Sequence, residues 1–114
     1  MSDAIFDSVV IGAGQAGPSL AVTLANRGEK VALIEVDRLG GTCINNGCTP
    51  TKTLRKSARV AYLARRAGEF GIETGPITVD FEKAMARMRE RVDSSRAGLD
   101  GWVRGNGVVV FSGR

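Results

Sequence analysis

The sequence predicts an α/β fold that contains a Rossmann-like unit of parallel strands and helices. Three observations support this prediction. An apolar stretch at 5–11 runs directly into a glycine-rich turn at 12–17, and a helical pattern follows at 19–25. A second apolar stretch at 30–35 completes the strand, helix, strand order of a dinucleotide-binding unit. The length of 114 residues is sufficient for one domain with a buried core.

The turn at 12–17 has the glycine spacing of a phosphate-binding loop. Gly12 permits the tight turn, Gly14 lets the backbone approach a pyrophosphate, and Gly17 lets the following helix pack closely on the strand. The N-terminus of that helix then directs unpaired N–H groups and a positive dipole end at the phosphates. The turn therefore predicts a dinucleotide site but does not distinguish FAD from NAD.

Glu35 ends the second predicted strand. It follows the turn by about the ~20 residues expected for an acid that accepts hydrogen bonds from an adenosine ribose. A carboxylate at this position also disfavours a ribose that carries a 2′-phosphate. The alternative for Glu35 is a surface carboxylate at a strand end.

Both cysteines lie within 40–52, and we expect the chemistry in this segment. Four residues separate Cys43 from Cys48, and at ~100° per residue a regular helix would place their side chains more than a quarter-turn apart. A disulfide between them therefore needs a distorted turn, which the glycines and asparagines between 41 and 47, together with Pro50, would tolerate. So small a ring would be strained and reducible. Spacing alone leaves two ordinary buried thiols as the alternative.

Two further helices and a strand are predicted after this segment. The first helix continues beyond Lys52 to about Gly68, and its many alanines favour a plain packing helix. A turn at 75–76 precedes a long amphipathic helix that begins after Asp80, and a strand is predicted at 108–111. The stripe of the long helix that we predict to be core consists of Phe81, Ala84, Met85, Met88, Val92, Leu99 and Trp102. The face predicted to be solvated carries Arg87, Arg89, Glu90, Arg91 and Asp93.

The charge and hydropathy patterns bear on partners and location. The net charge is +4, but the basic residues at 55–66 interleave with alanines at helical spacing and have no aromatic platform beside them. We therefore expect a solvated or partner-facing helix surface and no nucleic acid partner. No stretch approaches the ~18 apolar residues of a membrane span. Residues 1–4 lack a basic region before an apolar one, so we expect a cytoplasmic protein without membrane attachment.

The segment 40–52 resembles the signature of the class I flavoprotein pyridine nucleotide-disulfide oxidoreductases, which include dihydrolipoamide dehydrogenase, glutathione reductase and mercuric reductase. That signature reads Gly-Gly-Thr-Cys-x-Asn-x-Gly-Cys-x-Pro-Ser/Thr-Lys. The matching positions are Gly40, Gly41, Thr42, Cys43, Asn45, Gly47, Cys48, Pro50, Thr51 and Lys52. Thr49 replaces the usual aliphatic residue, which leaves the substrate class open.

The resemblance implies a role for each matching residue. It assigns the N-terminal unit to the adenosine half of FAD, and Gly41 and Thr42 to its pyrophosphate. It makes Cys43 the interchange thiol and Cys48 the flavin-facing thiol. Lys52 would lie near the flavin ring and favour the Cys48 thiolate, since it is one helical turn further along the chain. The alternative for Lys52 is a surface lysine.

The resemblance also implies a function for the longer parent protein. Electrons would pass from NAD(P)H through FAD to the cysteine pair, and then to a small-molecule disulfide or a metal ion. It covers about the first quarter of a family member, so we expect 1–114 to be the N-terminal part of an FAD-binding domain. The nicotinamide and dimerisation domains of a homodimeric parent would lie elsewhere. We expect this piece alone to be inactive, because the sequence contains no histidine to serve as the acid/base. The alternative is a stand-alone nucleotide-binding or thiol-relay module.

Overall fold

The computed structural model describes residues 3–114. Met1 and Ser2, the first two of the four residues that lack a targeting pattern, lie outside the described residues. The elements are, in chain order, β1 (Ser8–Ile11), α1 (Gly17–Asn26), β2 (Val31–Glu35), α2 (Gly41–Asn46), α3 (Cys48–Arg65), a 3-10 turn (Ala67–Phe70), α4 (Phe81–Gly105) and β3 (Val109–Ser112). The predicted α/β class is confirmed.

The three strands form one parallel sheet in the order β1-β2-β3. Val10 of β1 lies beside Leu33 of β2, which in turn lies beside Val110 of β3. The central strand is paired on both edges, and its residues Val31 and Leu33 are fully buried. Parallel strands joined through helices confirm the predicted Rossmann-like arrangement.

The core lies between one face of this sheet and the helices α1 and α4. Its buried members are Val10, Ala13, Ala21, Val22, Val31, Leu33, Val103 and Val108. On the opposite face Val9, Ile11 and Phe111 remain exposed. Within the part of the chain that the structure describes, this opposite face is therefore largely exposed, although Ala32 at its centre is buried.

The predicted starts of all three strands need correction. The first strand begins at Ser8, although the apolar pattern predicts it from residue 5. Its partner β2 begins at Val31, which pairs with Ser8, so residues 5–7 have no strand residue opposite them. The second and third strands each begin one residue later than predicted, at Val31 and Val109, and the third ends at Ser112 instead of residue 111.

The long helix α4 begins where the sequence predicts. The Asp80 side chain caps it by accepting a hydrogen bond from the backbone N–H of Lys83 at 3.0 Å. The predicted core stripe is wrong at both ends, because Phe81 is 68% exposed and Trp102 is 45% exposed. Val103 is fully buried instead, since a residue four positions after Leu99 returns to within about 40° of it.

The helices α3 and α4 pack against each other, as the alanines of α3 suggest. Arg87 of α4 donates to the Thr53 carbonyl at 3.2 Å and so ties the two helices together. All five residues of the predicted solvated face are exposed. Across residues 3–114, no helix combines the length and the apolarity that crossing a membrane demands.

Candidate functional site

The glycine-rich turn joins β1 to α1 at the carboxyl end of the sheet. Gly12 has a φ of +99°, a conformation that favours glycine, and its N–H donates to the Ile34 carbonyl at 2.8 Å. A Cβ on Gly17, the first residue of α1, would lie 1.8 Å from the Gly12 carbonyl oxygen. The tight turn at Gly12 and the close helix packing at Gly17 are both present, as the spacing predicts.

Gly14 differs from its two neighbours in the turn. A Cβ built on it would meet nothing within 4 Å, and its φ lies outside the left-handed region. The fold itself therefore does not require glycine at this position. A ligand that contacts the backbone closely would need the open space above Gly14, and a side chain at this position would fill that space.

Glu35 lies at the end of β2 with its carboxylate against the turn. Its Oε2 accepts from the Ala13 N–H at 2.7 Å, and its Oε1 accepts from the Asp37 N–H at 3.0 Å. These N–H groups, that of Asp37 first and that of Ala13 second, lower the pKa of the Glu35 carboxyl from its ordinary value. The sequence pattern does not predict this contact between Glu35 and the turn. Each oxygen keeps a further lone pair with which it could accept a ribose hydroxyl.

The two cysteines form a disulfide across a break between two helices. Cys43 lies in α2 and Cys48 is the first residue of α3, and their Cα atoms are 4.7 Å apart. Gly47 separates the helices with φ −127° and ψ −101°, far from helical values. The distorted turn that the spacing requires for a Cys43–Cys48 bridge is therefore present, and the alternative of two separate thiols is not what the structure contains.

Asn45 holds the disulfide segment in place. Its Nδ2 donates to the Gly41 carbonyl at 2.9 Å and to the Leu39 carbonyl at 3.0 Å. Its Oδ1 accepts from Arg96 Nε at 2.9 Å, which ties α2 to α4. Asn45 belongs to the matched signature, but nothing local in the sequence indicates Arg96, since 51 residues separate the pair.

The disulfide segment packs directly on the glycine-rich turn. The Gly40 N–H donates to the Ala13 carbonyl at 2.7 Å. A Cβ on Gly41 would lie 2.8 Å from the Gly14 Cα, so the two backbones meet in close contact. Gly40 and Gly41 both have positive φ, at 102° and 60°. The structure thus brings Gly14, Gly41 and the neighbouring Thr42 together beside the N-terminus of α1.

Lys52 and Cys48 are both exposed, whereas Cys43 is less exposed. Lys52 is exposed on α3, four residues after Cys48, and lines a shallow groove of about 320 Å³ with Arg55, Lys56 and Arg59. Cys48 is exposed and Cys43 is half-buried.

Among residues 3–114, no cluster of three or more His, Cys, Asp or Glu side chains could hold a metal ion.

Comparison with known proteins identifies what the chain resembles. The sequence model of the family described as pyridine nucleotide-disulphide oxidoreductase matches residues 6–113. Dihydrolipoyl dehydrogenase from Chlamydia muridarum is 46% identical over 109 residues, which are 96% of this chain and 23% of that protein. The enzyme of the same name from Bacillus subtilis is 38% identical over 108 residues, 95% of this chain and 23% of that protein.

A solved structure agrees with these sequence relatives. The Cu(II) complex of the HOCl-induced flavoprotein disulfide reductase RclA from Escherichia coli superposes with a TM-score of 0.77 at 36% identity. That match covers 97% of this chain and 22% of the RclA chain. This chain therefore spans about a quarter of the length of the relatives that it matches.

Proposed function

This chain belongs to the pyridine nucleotide-disulphide oxidoreductase family, and from that premise we propose that it is the FAD-binding and redox-disulfide part of an NAD(P)H-dependent reductase. In this proposal residues 1–114 are the N-terminal part of an FAD-binding domain. The nicotinamide and dimerisation domains belong to the rest of a homodimeric, cytoplasmic protein. The acceptor is a small-molecule disulfide or a metal ion.

One observation carries the proposal: the Cys43–Cys48 disulfide lies on a segment that packs against the glycine-rich turn. The Gly40 to Ala13 hydrogen bond and the approach of Gly41 to Gly14 make these contacts. A nucleotide held at the turn and a reducible disulfide would therefore share one edge of the sheet. This proximity is what electron transfer between a bound cofactor and a disulfide requires.

The residues at this edge fit an adenine dinucleotide such as FAD. The pyrophosphate would lie over Gly12, Gly14 and Gly17 at the N-terminus of α1, where the missing Cβ of Gly14 leaves open space. Gly41 and Thr42 would complete that cradle. Glu35 would accept hydrogen bonds from the adenosine ribose. FAD, when bound, supplies the two-electron chemistry that connects a nicotinamide to a disulfide.

The two cysteines would carry out thiol–disulfide exchange. In the reduced pair, the thiolate of Cys43 attacks one sulfur of the substrate disulfide, forms a mixed disulfide and releases the other half as a thiolate. Cys48 then attacks the Cys43 sulfur, re-forms the bridge and releases the second half. The cysteine pair loses two electrons and the substrate gains them. The Lys52 ammonium would favour the Cys48 thiolate.

The experiment uses the product of the whole gene that contains this sequence. We expect a flavin-containing protein that oxidises NADH or NADPH with lipoamide, glutathione disulfide or Hg²⁺ as the acceptor. The Cys43→Ser and Cys48→Ser variants should lose that activity. The 114-residue chain assayed alone should show no turnover, since its sequence has no histidine to protonate the released thiolate.

Two outcomes would contradict the proposed reductase function. Acceptor-dependent NAD(P)H oxidation that survives both cysteine substitutions would remove the disulfide from the mechanism. A gene product that binds an adenine nucleotide and exchanges disulfides, but oxidises no NAD(P)H, would favour the stand-alone thiol-relay module.

A further inference from the structure

The helix α2, which carries Cys43, is too short to be stable by itself. It is six residues long, its N-cap residue Gly40 provides no side-chain cap, and none of its residues is buried. Isolated helices of this length do not form in water, so α2 depends on bonds to its surroundings. One such bond is the Cys43–Cys48 bridge, which reduction removes. In the reduced chain the remaining bonds must hold Cys43 beside Cys48.

Arg96 of α4 makes one of these remaining bonds. Its Nε donates to Asn45 Oδ1 at 2.9 Å, and its Nη1 donates to the Asp93 carboxylate at 3.3 Å. The Asn45 amide is fixed at its other end, because Nδ2 donates to the carbonyls of Leu39 and Gly41. Among residues 3–114, the bond from Arg96 to Asn45 is the only side-chain hydrogen bond that joins α2 to another helix.

Arg96 lies on the packed face of α4. At ~100° per residue it falls within about 40° of Val92 and about 20° of Val103 around the helix, and both valines are buried. The Arg96 side chain is accordingly only 26% exposed. A guanidinium on such a face needs hydrogen-bond partners, because a buried charge without them is destabilising. Both partners of the Arg96–Asn45 bond belong to the described chain, so the bond does not depend on which surfaces the rest of the parent protein covers.

We propose that Arg96 is a positioning residue for the cysteine pair, because through Asn45 it keeps α2 docked on α4 when the bridge is reduced. This inference rests on the proposed exchange chemistry of Cys43 and Cys48. In the oxidised chain the bridge enforces the docked position, whereas in the reduced chain α2 is docked in only a fraction of the molecules. Only docked molecules can close the bridge, so this fraction multiplies the equilibrium constant for oxidation. Arg96 therefore favours the oxidised pair and lowers its reduction potential.

The direction of the shift in potential distinguishes positioning from an effect of the Arg96 charge alone. A cation near the cysteines stabilises thiolates and hence the reduced pair, so its removal would lower the reduction potential. Loss of positioning instead disfavours the bridge, so the removal of Arg96 should raise the reduction potential. The two explanations therefore predict opposite shifts in the same measurement.

The test equilibrates the 114-residue chain with mixtures of reduced and oxidised dithiothreitol in the absence of oxygen. The dithiol of the chain loses two electrons and two protons to oxidised dithiothreitol, which becomes a dithiol as the bridge forms. Alkylation of free thiols followed by mass spectrometry gives the reduced fraction. In Arg96→Met the equilibrium constant for oxidation should fall roughly fivefold, which raises the potential of this two-electron couple by about 20 mV. Arg96→Lys keeps a donor and should shift the potential less, in the same direction.

The matched control is Arg104→Met. Arg104 also lies on α4, and its Nε also donates to an aspartate of the same helix, Asp100, at 2.9 Å. It makes no side-chain hydrogen bond to α2 within residues 3–114, so Arg104→Met should leave the reduction potential unchanged. Circular dichroism verifies that each variant keeps its helical content.

Asn45→Ala removes the same bond from the other side. It should raise the reduction potential by itself, and Arg96→Met should add no further shift in that background, since Arg96 acts through the Asn45 amide. This variant decides the question if Arg96→Met fails to fold. A full additional shift in the double variant would show that Arg96 acts on the cysteines by another route and would overturn the inference.

Hydrogen exchange measures the docking of α2 directly. The backbone N–H groups at 44–46 should exchange faster in the reduced chain than in the oxidised chain, and faster still in reduced Arg96→Met. An unchanged or lowered potential in Arg96→Met, an equal shift in Arg104→Met, or equal protection of α2 in all these states would overturn the inference and leave the exchange chemistry intact. If the cysteines of the original chain equilibrate with dithiothreitol at no ratio, the exchange chemistry itself is wrong and the inference fails with it.

Discussion

The glycine-rich turn and the disulfide segment meet at one edge of the sheet but hold their shapes by different means. The turn is defined by backbone clearance, since a Cβ on Gly17 would lie 1.8 Å from a carbonyl oxygen. The disulfide segment is held by side-chain bonds, namely the Cys43–Cys48 bridge and the amide of Asn45. A substitution in the turn therefore acts by adding atoms, whereas one in the disulfide segment acts mainly by removing bonds.

The largest effect is expected at Gly17. A Gly17→Ala methyl would collide with the Gly12 carbonyl, which is backbone and has little freedom to move, so α1 must shift away from β1. We expect a loss of about 3 kcal/mol or more in the free energy of unfolding. Urea denaturation followed by circular dichroism measures it. A variant as stable as the original chain would show that the turn is not fixed by clearance at this position.

Gly41 is where the two regions touch, and the Gly41→Ala variant tests that contact. Its methyl would lie 2.8 Å from the Gly14 Cα, and its φ of +60° is a conformation that costs alanine ~1 kcal/mol. We expect a total loss of about 2 kcal/mol. The control is Gly107→Ala, because Gly107 also has a positive φ but a methyl group on it would meet no atom within 4 Å. If Gly41→Ala and Gly107→Ala lose equal amounts of stability, the close contact with Gly14 contributes nothing to the effect of Gly41→Ala.

Asn45 tests the side-chain bonds of the disulfide segment. The Asn45→Ala variant removes two hydrogen bonds to backbone carbonyls and the acceptor for Arg96, and we expect a loss of about 1.5 kcal/mol. The neighbouring Asn46 is exposed, so Asn46→Ala is the matched control and should change stability by less than about 0.5 kcal/mol. Denaturant unfolding of both variants, with the disulfide intact, measures the difference. Similar losses of stability in Asn45→Ala and Asn46→Ala would contradict the structural role of the Asn45 amide.

The two regions also differ in how far the sequence alone predicts them. The turn follows from the spacing of Gly12, Gly14 and Gly17 between apolar stretches, since those interactions are local. Spacing alone does not decide whether Cys43 pairs with Cys48, and the resemblance to a family is needed for that step. Contacts between distant residues have no local signature.

Three details illustrate this limit. The Arg96 contact to Asn45 spans 51 residues, so neither neighbourhood indicates it. The hydrogen bond from Ala13 to Glu35 does not follow from the pattern, which indicates only a ribose acceptor. The apolar surface of Trp102 predicts a core position, yet the packing of α4 on the sheet buries Val103. Periodicity predicts a helix well, but it predicts the exact direction of the buried face less well.

The Glu35 side chain supports the glycine-rich turn from the end of β2, where it accepts a hydrogen bond from the Ala13 N–H. In Glu35→Gln an NH₂ group replaces one carboxylate oxygen, so one of the two backbone N–H groups loses its acceptor. We expect the free energy of unfolding to fall by roughly 1 kcal/mol near neutral pH. The pKa of the Glu35 carboxyl is lowered in the folded chain, so its contribution is present above the unfolded pKa and is lost as pH falls through the folded value. The difference in the free energy of unfolding between the original chain and Glu35→Gln should therefore narrow in acid, below the ordinary carboxyl pKa of 4.5.

Unfolding at a series of pH values measures that difference. Glu73→Gln is the control, since Glu73 is exposed and makes no side-chain hydrogen bond or ion pair within residues 3–114. A stability gap for Glu35→Gln that stays constant from neutral pH into acid would show that the ionised carboxylate is not what supports the turn.

The smallest effect on stability is expected at Gly14. A substitution there tests whether this glycine is needed for ligand binding and not for the fold. A methyl there would meet nothing within 4 Å, so Gly14→Ala should leave the free energy of unfolding unchanged or raise it by roughly a few tenths of a kcal/mol, through a less flexible unfolded chain. The same methyl would fill the space proposed for a pyrophosphate. We therefore expect the binding of ADP, followed by protein NMR titration, to weaken by about tenfold or more while stability is retained. Unchanged ADP binding would contradict the placement of the pyrophosphate over Gly14, and a loss of stability as large as that of Gly17→Ala would show that this glycine serves the fold after all.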